Sequence, residues 1–197
     1  MLCGVVVAVL FSNCRQENLN VPNVTNTTPP GVVSNVSVTN MNGKAVFTYT
    51  LPSNPDLAYI KATYEISPGV PTEVIASRYT NTMTIDGFGD TLAHTVKLIA
   101  VNSSEVASQP VSVTVQPLTP GYILARRSLQ VAATFGGFTV NCKNSVMDNL
   151  AIIPLVDTTG DGKWVQTVGM DNIYSNDSVI SGVIRNQPSV QRNYAFV

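Results

Sequence analysis

The sequence predicts an all-β chain, folded as two immunoglobulin/fibronectin III-like sandwiches in tandem, and three observations carry that expectation. Runs rich in Val and Thr, apolar at every second residue, are separated by clusters of Asn, Ser, Gly and Pro; β-branched residues favour the pleated strand, and the separators are turn formers. No window of about 11–18 residues shows an apolar period near 3.6 with caps at its ends. A segment beginning at Gly43 returns at Gly136.

Seven strand-like runs fall between residues 32 and 118, at 33–39, 44–52, 57–66, 72–79, 82–88, 94–102 and 110–118. "KAVFTYTLP" places Ala45, Phe47, Tyr49 and Leu51 on one face and Val46, Thr48 and Thr50 on the other. "LAYIKATYEI" places Ala58, Ile60, Ala62, Tyr64 and Ile66 inward, with Tyr59, Lys61, Thr63 and Glu65 outward. Val96, Leu98 and Ala100 alternate in the sixth run, and Val111, Val113 and Val115 in the seventh. "SPGVP" (67–71) and "DGFGD" (86–90) supply turns. Seven short strands without a Cys–Trp–Cys signature point to the fibronectin type III version of the sandwich.

"GKAVFTYTLPSNPDLA" (43–58) aligns without gaps to "GGFTVNCKNSVMDNLA" (136–151), matching Gly43 to Gly136, Leu57 to Leu150 and Ala58 to Ala151. A repeat of about 90 residues means two similar domains rather than a solenoid. "QPLTPGY" (116–122) is the linker, and the second sandwich is expected over 119–197. Its last residues, "RNYAFV", match the strand that begins "HTVKLI", with Tyr194 against Val96, Ala195 against Lys97 and Phe196 against Leu98. The counterpart of "PVSVTVQPL" does not appear, so the second sandwich is expected to lack its last strand, and the natural protein to continue past Val197 or the gene to be a fragment.

Residues 2–11, "LCGVVVAVLF", are apolar or small without a break, too few to span a bilayer and suited to the h-region of a signal peptide. The order Leu10-Phe11-Ser12-Asn13-Cys14 resembles the bacterial lipobox, which makes Cys14 the lipidated first residue of the mature chain and residues 1–13 the signal peptide; no Lys or Arg precedes the apolar run. Residues 14–31 are polar and Pro-containing and read as a flexible tether. With Cys3 and Cys14 flanking the signal segment, Cys142 has no evident partner and no disulfide framework is expected.

The succession of a lipobox, "TTPPGVVSNVSV", "FTYTLPSNPDLAYIKATYEISPG", "IDGFGD", "VKLIAV" and "LTP" resembles Bacteroidota surface lipoproteins with tandem fibronectin III-like domains of unknown function. "RRSLQVAATFGGFTVN" and "GDGKWVQT" extend the resemblance into the second half. In such proteins a discoidin-like carbohydrate-binding domain often follows. The resemblance implies an outer-membrane, surface-exposed setting, with polysaccharide or an outer-membrane importer as partner, and no catalytic residues to carry over.

Charged residues make up 12% of the chain and the net charge is -1, which excludes a basic nucleic-acid footprint. In "DTTGDGKW" (157–164), Asp157, Thr159, Asp161 and Gly162 fall at the first, third, fifth and sixth positions of a calcium loop, but Val168 stands where a bidentate Glu is required. The competing reading is a hairpin turned by Asp161-Gly162. Trp164, the only tryptophan, is a candidate sugar platform or a packing residue; Tyr59, outward on its strand, is a second candidate. His94 is the only histidine, and spacing assigns it no catalytic partner. No nucleophile elbow, phosphate loop or zinc-protease motif occurs, so no enzyme and no cofactor are expected. Asn-x-Ser/Thr sequons at Asn23, Asn26, Asn35, Asn102 and Asn176 carry no eukaryotic meaning in a bacterial lipoprotein. "DTL", "DTT" and "DSV", beginning at Asp90, Asp157 and Asp177, resemble an O-glycosylation triplet. Two functions remain: a structural spacer for a distal binding domain, or an accessory glycan-binding lipoprotein.

Overall fold

The computed structural model describes residues 26–166, 172–187 and 192–197. The lipidation candidate Cys14 and the loop position Val168 lie outside these residues.

The first sandwich contains β1 (Ser34–Met41), β2 (Lys44–Thr50), β3 (Leu57–Ser67), β4 (Val70–Ser77), β5 (Thr82–Asp86), β6 (His94–Asn102) and β7 (Val111–Val115). They form a three-stranded sheet, β1-β2-β5, and a four-stranded sheet, β4-β3-β6-β7, with every pairing antiparallel. The alternation read from the sequence sets the faces: Phe47, Ile60, Ala62, Ile85, Val96 and Leu98 are fully enclosed between the sheets. Full burial of an Ile or Phe side chain stabilises by roughly 1.5–3 kcal/mol, so these residues hold the two sheets together. Ala58, expected inward, is only half buried, while its neighbour Leu57 is buried. An irregularity in the β3–β6 register between Leu57 and Tyr59 shifts the alternation there.

The end of the expected tether is held against this sandwich. The Asn26 side chain donates to Asp56 Oδ2 at 2.7 Å, Gly31 N donates to Asn54 Oδ1 at 2.8 Å, and Pro30 is buried. Asn102, 0% exposed, is the hub: its Oδ1 accepts from the N–H groups of Ser104 (3.0 Å) and Val106 (2.9 Å). Its Nδ2 donates to the carbonyls of Thr28 (3.2 Å) and Asn26 (3.4 Å). A polar segment with little to bury is thus ordered by directed bonds, which composition does not reveal.

One helix interrupts the all-strand expectation: α1 (Gly121–Arg127) follows Pro120 and ends with Arg126 and Arg127 in its last turn, where cations complement the helix dipole. The second sandwich then continues with β8 (Gln130–Thr134), β9 (Gly137–Lys143), β10 (Leu150–Ile152), β11 (Pro154–Asp157), β12 (Ile173–Ser175), β13 (Val179–Ile184) and β14 (Asn193–Phe196). The sheet β13-β9-β8 repeats β5-β2-β1. The strand equivalent to β3 is divided in two. β10 pairs with β12, as β3 does with β4, and β11 pairs with β14, as β3 does with β6. Gly43 (φ +64°) and Gly136 (φ +74°), aligned by the repeat, both take the left-handed conformation at the turn of the first hairpin of their sandwich. Pro154 pairs with Phe196, Leu155 with Ala195 and Val156 with Tyr194. β14 has no strand on its outer side among the described residues. The cores differ in size: sixteen buried residues in the first cluster and six in the second, among the described residues.

Candidate functional site at the joint of the two sandwiches

The connection between the sandwiches is bonded along most of its length. Leu118 N donates to Met41 O at 2.9 Å, and Gly43 N donates to Leu118 O at 3.0 Å. The Asn42 side chain donates to Thr119 O at 2.7 Å, and Gln116 N to Asn40 Oδ1 at 3.1 Å. Pro117 and Pro120 are buried on either side of these bonds. The β1–β2 hairpin thus grips the linker like one more strand. Two contacts reach across to the second sandwich: Tyr122 Oη donates to Gly89 O at 3.4 Å, and Lys44 Nζ lies 3.6 Å from Asp148 Oδ1. That ion pair is partly exposed, so its worth is about 0–1 kcal/mol; it orients rather than holds. Gly121 is required by contact: a Cβ there would run into the side chains of Asp148 and Val146. A groove of about 560 Å³ opens at the joint, lined by Lys44, Asp86, Gly87, Tyr122, Asp148 and Asn149 among others.

The residues singled out from the sequence are dispersed. Tyr59 lies on the outer face of β3, its hydroxyl donating to Glu105 Oε2 at 2.6 Å. Desolvation, then the hydrogen bond and charge of Glu105, push its pKa up to about 12. Trp164 is 43% exposed on the second sandwich, beside Val165, which bridges to Val156. Asp157 is 5% exposed, and its two oxygens accept from Gly160 N (2.7 Å) and Gly162 N (3.0 Å). This carboxylate therefore ties its own loop. Asp161 accepts from Lys163 Nζ at 3.0 Å, the bond that, first among several, holds its carboxyl below the usual range. Thr159 is exposed in the same loop.

His94 has a partner that spacing did not assign: its Nε2 lies 2.8 Å from Asp90 Oδ1, four residues earlier, and its ring lies 4.6 Å from that of Phe88. The bond from His94 holds the Asp90 carboxyl below its ordinary pKa. The bond spans the turn before β6, from Asp90 to the first residue of the strand. Cys142 is buried and free, and burial raises its thiol pKa. Asn102, the most highly bonded side chain of the first sandwich, read in the sequence only as part of a sequon.

The molecule is a pair of fibronectin III-like β-sandwiches in tandem. Residues 30–117 match the family described as Domain of unknown function (DUF4959), and residues 118–197 match the family described as Domain of unknown function (DUF5126). The boundary between the two matches falls within the bonded linker. No curated protein matches the chain. Among solved structures, a two-domain fibronectin type III segment of chicken tenascin is 8% identical with a TM-score of 0.42, covering 85% of this chain and 99% of that one. A redesigned β-sandwich protein is 24% identical with a TM-score of 0.39, covering 45% and 91%. Chitinase ChiA74 from Bacillus thuringiensis is 19% identical with a TM-score of 0.39; the match covers 86% of this chain but 29% of the chitinase.

Proposed function

We propose that the chain is a non-enzymatic spacer, anchored through a lipid on Cys14 at the outer membrane and exposed at the cell surface, that carries a distal binding domain away from the bilayer. The supporting observation is the joint: a linker gripped by the β1–β2 hairpin at Met41, Asn42 and Gly43 suits two sandwiches that hold one angle. Free rotation would need a linker whose polar groups face water, and this linker spends them on the hairpin. The test compares 15N relaxation of the chain with that of a variant carrying Asn42→Ala and a Gly/Ser replacement of residues 116–120. The expected result is one shared tumbling time for both sandwiches in the natural chain and two in the variant. Separate tumbling in the natural chain refutes the rigid spacer. The anchor is tested by Cys14→Ser, which should move the protein from the membrane to the soluble fraction; retention on membranes by the variant refutes it.

A further inference from the structure

Two hollows at the joint run into one another. The joint groove of about 560 Å³ shares Asn149 and Leu150 with a hollow of about 350 Å³ beside β10 and β12. Together they make one trough that begins on the first sandwich and ends on the second.

The β2–β5 ladder sets the first stretch. Ala45 and Ile85 pair and are fully buried, so Lys44 and Asp86, paired one step along, point out of the sheet. Lys44 thus faces Asp86 across the strand pair and Asp148 across the joint, at 3.6 Å. Gly87 and Gly89 add only backbone to this wall, which lets a ligand approach it closely. Tyr122, on the opposite wall, is 55% exposed. The second stretch lies on the outer face of β10 and β12. Ala151 pairs with Tyr174, and its single methyl group leaves the Tyr174 ring 70% exposed. Asn149 and Asn176, each two residues from one member of that pair, add carboxamides to the same trough.

The chemistry of the lining selects its ligand. An apolar chain would strip water from Lys44, Asp86 and Asp148 without replacing its bonds. An anion meets two carboxylates, and a bare cation meets the Lys44 ammonium already seated beside Asp148. A hydroxyl suits all of them: it donates to a carboxylate or carbonyl and accepts from an ammonium or amide N–H. Two exposed rings, one in each stretch, offer flat faces to the C–H faces of sugar rings.

We propose that this trough binds a neutral oligosaccharide, with Tyr122 and Tyr174 stacking on separate sugar units and Lys44, Asp86, Asp148 and Asn149 bonding to hydroxyls between them. Both walls are needed, so the proposal rests on the joint holding one angle. The relaxation measurement reads that angle separately: common tumbling without sugar binding overturns this site and leaves the spacer standing.

The test titrates the 15N-labelled chain with maltohexaose, cellohexaose, xylohexaose and mannohexaose, and with hexagalacturonate as the anionic counterpart. Sugar is taken to roughly 10 mM, well above a Kd of about 1 mM. The expected result is that at least one neutral sugar shifts the amides of Lys44, Gly87, Tyr122, Asn149 and Tyr174. Tyr122→Ala and Tyr174→Ala should each weaken that binding by about tenfold, while Tyr122→Phe and Tyr174→Phe, which keep the ring, stay within about twofold. Tyr174 is a surface residue, so its Ala variant reads the site even if Tyr122→Ala disturbs the joint. Four results overturn the proposal. No neutral sugar shifts these amides, hexagalacturonate binds tightest, the shifts fall at Trp164 or Tyr59 instead, or the Phe variants lose binding as the Ala variants do.

Discussion

Replacing Asn102 with Ala tests whether directed bonds, rather than apolar burial, order the start of the first sandwich. The substitution removes four hydrogen bonds at a site that is 0% exposed. The acceptors Asn26 O and Thr28 O lie near the surface and can turn to water, so their loss costs little. The N–H groups of Ser104 and Val106 lose a buried acceptor inside a closed loop. At about 1–3 kcal/mol for each orphaned group, the expected destabilisation is about 3 kcal/mol. For a domain of about 90 residues, 1 kcal/mol moves Tm by about 4–8 °C, so Tm of the first sandwich should fall by about 12–24 °C. Scanning calorimetry reads that shift, and amide exchange at Gly31 reads release of the docked segment. Asn102→Asp separates the two halves of the site: it keeps the acceptors for Ser104 and Val106 but turns an oxygen toward the two carbonyls. A drop in Tm of less than about 4 °C for Asn102→Ala, with Gly31 exchange unchanged, would refute the hub.

Two further outcomes follow from buried or shifted hydroxyls. The Tyr49 hydroxyl is buried with no hydrogen-bond partner among the described residues, and desolvation raises its pKa; Tyr49→Phe should leave stability unchanged or raise it by about 1 kcal/mol, and a loss above that in urea melts would reveal a partner. Tyr59 titrates at about 12 in the folded chain against an ordinary 10.0, so the folded state holds its proton more tightly. The associated stability is complete below pH 10 and is lost as pH rises toward 12; a phenolate absorbance titration should show a late-titrating tyrosine that Tyr59→Phe removes, and an unchanged curve would contradict the bond to Glu105.

The strands of the first sandwich were legible because each exposes one face to a core and the other to water, which writes a period of two into residues such as Ala45, Phe47 and Tyr49. The duplication was legible through Gly43 and Gly136 because only a left-handed turn position constrains a residue so tightly. α1 was not legible: seven residues make fewer than two full turns, and Ile123, Leu124 and Ala125 within it cannot display a helical period. Asn102 was not legible because Asn-Ser-Ser reads as a surface turn, and nothing local announces that Thr28 will close over it. The Asp90–His94 pair left a trace in its four-residue spacing, but in an irregular segment that spacing does not imply contact. The joint was hidden for a related reason: a Pro-rich linker has the same composition whether it floats or is gripped by a hairpin.

The unequal cores acquire a meaning when the chain is considered under load. Two bodies joined end to end carry the same tension, and the one with less apolar surface to separate yields first. Among the described residues that is the second sandwich, with six buried residues in its cluster against sixteen in the first. Unravelling residues 118–197 would release a strand of about 270 Å at roughly 3.4 Å per residue while the first sandwich stays closed. A pair of sandwiches with cores this unequal is thereby also a fuse, lengthening first in its second half.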